Sequence, residues 1–204
     1  MKKLFLCSSF KDVAPLLEGF AGDLQGKKVA FIPTASLLEK VVFYVEAGKK
    51  ALEGLGLVVE ALEVSTAEAA DIQSKLEAAD LIYVSGGNTF YAMQELNKSG
   101  AGKCIVKQVE AGKLYIGESA GAMVAAPSVE YAKAMDSVKK APDLEGFQGL
   151  GLTQVSPVPH CSNFPFKKAA EKIVAEYQDS LTLKPINNKE AILICGEDIA
   201  VKGV

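Results

Sequence analysis

Short apolar runs alternate along the chain with longer stretches in which apolar residues recur every three or four positions. Runs such as KLFLC and KVAFI are too short for helices, and their near-continuous hydrophobicity suits strands covered on both faces. The pattern predicts strands at Lys3–Cys7, Lys28–Ile32, Leu57–Leu62, Leu81–Val84, Lys113–Ile116, Thr153–Pro157 and Ala191–Cys195. Helical patterns between them make repeated βαβ units, and so an α/β fold with a mostly parallel sheet and helices on both faces.

Polar and small residues punctuate that pattern. Ser36-Leu-Leu-Glu39 and Ser65-Thr-Ala-Glu68 match the capping box, in which a hydroxyl and a carboxylate satisfy free N–H groups at a helix start. Gly112, after the helical stretch Lys103–Ala111, and Gly54, before the third strand, mark helix ends. The stretch from Glu130 to Gly151 is irregular, with Pro142, Gly146 and Gly149 among charges, and reads as an excursion that forms the wall or lid of a site.

Composition narrows the picture. The 204 residues fit one α/β domain spanning 1–204, and 49% apolar content is enough for a core. Net charge is −3 and the lysines are scattered, which leaves no footprint for nucleic acid or an anionic membrane surface. No apolar run reaches bilayer length, and the first residues, MKKLFLCSSF, read as a buried strand rather than a signal segment. Cys7, Cys104, Cys161 and Cys195 are too dispersed for a zinc site or a disulfide framework, so a reducing cytoplasmic setting is expected. All 22 basic residues are lysine. The sequence is compatible with a homodimer.

In open parallel sheets, ligands bind where loops leave the carboxyl ends of the strands. Four such loops carry suggestive residues: Pro33-Thr-Ala-Ser36, Ser85-Gly-Gly-Asn-Thr89, Gly117-Glu-Ser-Ala-Gly121 and Pro157-Val-Pro-His160. Ser119 follows a strand and precedes the small-residue run AGAMVAA, the context of a nucleophile elbow. The glycines two residues to either side let the chain reverse sharply, and the N–H of Ala120 becomes an oxyanion donor. The plainer reading is a Gly-flanked turn with Ser119 as a helix cap.

A serine hydroxyl needs a base, and His160 is the sole histidine. It sits between Pro159 and the polar Cys161-Ser-Asn163 turn, a placement that argues against a core role. In the Ser85–Thr89 loop, Gly87 offers a second oxyanion N–H and Asn88 a substrate contact, with Thr89 as a plain helix cap in the alternative. This loop matches neither dinucleotide nor Walker motifs. Asp136 and Glu197 are both candidates for the acid that orients the imidazole, whereas Glu118, adjacent to the serine, points elsewhere. Cys161 adjoins the histidine too closely for good attack geometry. Metal and cofactor chemistry find no ligand set.

Taken together, Phe31-Ile-Pro-Thr-Ala-Ser36, Val84-Ser-Gly-Gly-Asn-Thr-Phe90, Gly117-Glu-Ser-Ala-Gly-Ala122 and Pro159-His160 resemble peptidase family S51, the group of aspartyl dipeptidases and cyanophycinases, over essentially the whole chain. The resemblance implies a flavodoxin-like sheet, as in class I glutamine amidotransferases, and cleavage of small peptides through a serine acyl-enzyme. It places the nucleophile at Ser119, the base at His160, oxyanion N–H groups at Gly87 and Ala120, and the acid at Glu197; where the family has an earlier aspartate, this chain has Ala134, with Asp136 two positions on. Aspartyl specificity in the family rests on an arginine, and this chain has none. Lys167 or Lys168 would have to replace it as a point charge, so a preference for N-terminal aspartate is expected to be weakened or replaced. The rival readings are a general serine esterase and a non-catalytic binding or sensor domain on the same scaffold.

Overall fold

The computed structural model describes residues 1–204. In chain order the elements are β1 (Lys3–Cys7), α1 (Phe10–Val13), α2 (Pro15–Ala21), β2 (Lys28–Ile32), α3 (Phe43–Gly54), β3 (Val58–Ala61), α4 (Ala69–Ala78), β4 (Leu81–Val84), α5 (Thr89–Lys98), α6 (Ala101–Glu110), β5 (Leu114–Glu118), α7 (Ala120–Met123), β6 (Ser156–Val158), α8 (Lys167–Tyr177), β7 (Leu183–Pro185), β8 (Glu190–Cys195) and β9 (Asp198–Gly203). Seven strands form the central sheet in the order β3-β2-β4-β5-β1-β8-β9. The first five are mutually parallel, and β8 and β9 add an antiparallel edge.

Successive side chains on a strand point to opposite faces, and each face is covered. Phe5, Val29, Phe31, Tyr83 and Ile116 meet α1, α2 and α3 through Phe10, Val13, Leu17 and Leu52. Leu4, Leu6, Ile32, Ile82, Val84 and Tyr115 meet the other helices through Ile72, Leu76, Phe90, Leu96 and Ile105. This two-sided burial explains why β1, β2 and β4 carry no polar alternation.

Two expectations fail for local reasons. No helix follows Ser36, whose hydroxyl donates back to Pro33 O within a short 3-10 turn, Thr34–Ser36. Ser65 spends both its N–H and its hydroxyl on the Glu63 carboxylate, and α4 starts only at Ala69 with no side-chain cap. The Glu130–Gly151 excursion holds two 3-10 turns, Glu130–Ala134 and Val138–Lys140. Asn88 Nδ2 donates to Ser137 O, and Asp136 accepts from Thr89, so the excursion is tied to the loop after β4. A separate two-stranded parallel sheet pairs β6 with β7.

Candidate active site

The loops after β1, β4 and β5 leave the same edge of the sheet, where these three strands lie side by side in the order β4-β5-β1. Ser119 continues the ladder, its N–H donating to Cys7 O at 2.8 Å, and the chain then turns into α7. The turn closes only because of its glycines. A Cβ on Gly117 would lie 2.4 Å from Gly121 O, and one on Gly121 only 2.0 Å from Val84 O. Ser119 itself has φ 50°, ψ −107°, a region that non-glycine residues enter at a cost of order 1–3 kcal/mol.

His160 arrives from the other side. Its N–H donates to Ser8 Oγ at 3.0 Å, and Ser8 Oγ donates to Ile186 O just beyond β7. The N–H of Cys161 also donates to Ile186 O. These bonds pin the loop after β6 against the sheet edge, and His160 adopts φ 61°. Of the three non-glycine residues with positive φ, two are Ser119 and His160, so backbone strain is concentrated on this pair.

The two side chains meet. Ser119 Oγ lies 2.9 Å from His160 Nε2, and His160 Nδ1 lies 2.8 Å from Asn188 Oδ1. Asn188 Oδ1 is an acceptor, so Nδ1 carries the proton and Nε2 is free to receive one from the serine. Burial holds the His160 pKa below its ordinary 6.5, and the Asn188 bond opposes that shift. Phe166 stacks on the imidazole with ring centroids 5.0 Å apart.

Glu197 takes no part in this arrangement. Strand β8 runs back along β1, with Ala191 opposite Cys7 and Cys195 opposite Lys3. The β8–β9 turn bearing Glu197 therefore sits at the edge of the sheet opposite Ser119, exposed to solvent. Asp136 is buried nearby, but it accepts from Thr89 N at 2.9 Å and Thr89 Oγ1 at 2.6 Å rather than from histidine, and burial raises its pKa. The place of the expected acid is taken by an amide. Asn188 escaped the sequence reading because nothing local marks it: it lies 28 residues after His160, beyond β7, in a polar turn like many others.

Gly87, at φ 141°, occupies a conformation open to glycine, and a Cβ there would lie 2.1 Å from Ala35 O. Its N–H engages no protein acceptor, and Ala120, as first residue of α7, has an N–H with no helical partner. Asn88 is a helix cap rather than a free substrate contact: Oδ1 accepts from Tyr91 N at 2.9 Å while Nδ2 holds Ser137 O at 3.1 Å. Glu118 does point elsewhere. It lies beneath the turn, accepting from Phe10 N at 2.8 Å and Tyr83 Oη at 2.7 Å, and burial raises its pKa.

These groups open into a cleft of about 620 Å³. Tyr44, unmarked in the sequence, also lines it; burial and the nearby carboxylates Glu39, Glu118 and Asp136 raise its pKa, so its hydroxyl stays a donor. The cations that reach the cleft are Lys11 and Lys140, not Lys167 or Lys168. Lys140 is bound to Glu39 at 2.6 Å, and Lys167 faces Glu171 at 3.9 Å on the exposed side of α8.

The sequence profile of Peptidase family S51 matches residues 4–202. The chain belongs to peptidase family S51. It is 54% identical over 202 residues to an uncharacterized peptidase of Listeria monocytogenes, covering 99% of this chain and 98% of that one, and 49% identical to an uncharacterized peptidase of Pasteurella multocida, covering 100% and 98%. Peptidase E of Salmonella gallinarum is 34% identical over 144 residues, which span 70% of this chain and 58% of that enzyme. A crystal structure from Listeria monocytogenes EGD-e superposes with a TM-score of 0.96 at 52% identity, over 100% of this chain and 99% of the other. A peptidase from an acI-B1 actinobacterium does so with a TM-score of 0.75 at 25% identity, over 100% and 88%. This S51 chain is therefore a peptidase, with the α/β sheet expected from its sequence.

Proposed function

We propose that this S51 peptidase hydrolyses small peptides, as a dipeptidase would, through an acyl-enzyme on Ser119. The observation that carries the reading is the 2.9 Å bond from a strained Ser119 to His160 Nε2. Ser119 Oγ attacks the scissile carbonyl while Nε2 takes its proton, and the N–H groups of Gly87 and Ala120 receive the oxyanion. His160 then hands that proton to the departing amine, and water repeats the sequence in reverse on the acyl-enzyme. Asn188 fixes the tautomer and ring orientation without supplying the charge that a carboxylate would lend the imidazolium. In this reading residues 1–204 act as one domain, in the reducing cytoplasm that the four dispersed cysteines suggest.

The substrate side chain is read from the charges. Asp12, Glu39, Glu118 and Asp136 line the cleft against Lys11 and Lys140, and Lys140 is already paired. Such a cleft offers an acidic side chain no two-pronged grip, so the preference for N-terminal aspartate is weakened or replaced. A serine-directed fluorophosphonate should label the wild type and leave Ser119→Ala unlabelled. Absence of labelling in the wild type would return the chain to a binding role. Rates on Asp-X, Glu-X, Ala-X and β-aspartyl dipeptides then set the specificity, and a strict Asp-X preference would overturn that part.

A further inference from the structure

The two sides of the cleft about the Ser119–His160 axis are built differently. On the side of the loop after β4 the lining is mixed: Asp136 and Ser137 are tied to Thr89 and Asn88, and Lys140 to Glu39, with Val41, Phe43 and Met135 among them. Along the histidine loop an unbroken apolar run lines it. Phe166 stacks on His160, and Pro165 and Phe164 carry the same wall outward to the mouth. Phe164 is 95% exposed, although it lines the cleft, and an aromatic ring left in water is favourably covered by an apolar group.

The reaction gives the apolar run beside His160 a place on the substrate. The group that protonates the departing amine must lie beside it, so the leaving half of the peptide occupies the His160 side of Ser119 and the acyl half occupies the other. We propose that the Phe164-Pro165-Phe166 wall is the subsite for the residue on the amine side of the scissile bond, and that it selects a bulky apolar side chain there. This rests on the serine-peptidase reading above. Phe164 is the determinant that substrate covers, and Phe166 also positions the imidazole, which makes Phe164 the cleaner residue to vary.

The test is kcat/KM for Ala-Phe, Ala-Leu and Ala-Gly, and for the same three with an aspartyl acyl half, on wild type and Phe164→Ala. A hydrophobic pocket discriminates by about 10-fold or more, so wild type should favour Phe and Leu over Gly by that factor within whichever series is cleaved. In Phe164→Ala, with folding verified by its thermal unfolding curve, the Phe-to-Gly ratio should fall at least about fivefold. Fluorophosphonate labelling of Ser119 separates the two layers. Labelled enzyme without an apolar preference, or with a ratio unmoved by the substitution, overturns the subsite alone; no labelling and no cleavage overturns the peptidase mechanism with it. A Phe164→Ala change in sedimentation with an unaltered ratio would show that the ring is covered by a second copy of the chain, and would likewise overturn the subsite.

Discussion

The turn that presents Ser119 is made by its immediate neighbours in the chain and docks on β1 and β4, whereas His160 is held mainly by side chains and carbonyls far from it in the chain. The serine half consists of β5, two glycines that allow contact distances no Cβ could meet, and the first turn of α7. The histidine half hangs on Ser8, 152 positions away, on Ile186, and on Asn188. The turn proposed to carry the nucleophile can thus be written in a pentapeptide, while the base proposed for it is assembled by tertiary contacts. Where a site is written locally its glycines tolerate almost nothing; where it is assembled, single anchors should give graded losses.

The most severe way to break the comparison is to remove its two ends. Ser119→Ala and His160→Ala should each lower kcat by about 10,000-fold or more, and the double variant should be no worse than either alone, because the two act as one unit. Single-turnover peptide hydrolysis measures it. Additive losses would mean that the two halves act separately.

Next in size is the elbow itself. Gly121→Ala drives a methyl group onto Val84 O, and relief requires separating α7 from β4, so a stability loss of about 3 kcal/mol or more is expected in denaturant unfolding. By contrast, Asn163→Ala removes one partly buried bond to Asn188 N and should cost only about 1 kcal/mol. Similar losses at the two sites would erase the distinction between a locally written half and an assembled one.

Asn188 sharpens the comparison through pH. Only neutral His160 can act as base, and burial keeps its pKa below 6.5, so the acid limb of kcat/KM should fall below pH 6.5. Asn188→Ala should reduce kcat by about 10- to 100-fold through loss of ring orientation. Asn188→Asp should keep activity while moving the acid limb to higher pH, since a carboxylate favours the imidazolium. An acid limb unmoved by that substitution would remove Asn188 from its positioning role.

This asymmetry also explains what could be read from the chain. Buried parallel strands are continuous apolar runs, and β1, β2 and β4 fall where the runs are. β7 has three residues, one of them Pro185, and β9 holds only the three-residue apolar run Ile199–Val201 and is exposed along its whole length, so neither stands out as a buried strand. Ser119, Gly87 and Ala120 stand out through glycine spacing, and His160 through being the sole histidine. Tyr44, Asn188 and Phe164 did not, because their places in the cleft come from what the fold sets beside them. Glu197 misled for the complementary reason: it follows a clear strand, and strands in this fold normally deliver site residues at their ends. Only the antiparallel sense of β8, which periodicity does not reveal, sends that end to the far edge.

The smallest predicted effect tests that last point. Glu197→Gln removes a charge from an exposed hairpin turn, at the end of the sheet away from Ser119, where Gly196 N donates to Lys2 O. A solvent-screened charge there contributes little to the imidazole, and a surface exchange of this kind changes stability by no more than about 0.5 kcal/mol. We therefore expect kcat/KM within about twofold of wild type and an unmoved acid limb, set against the shift from Asn188→Asp in the same assay. A loss of tenfold or more would mean that the β8–β9 hairpin reaches the imidazole during turnover, and the base half would then be assembled from both edges of the sheet.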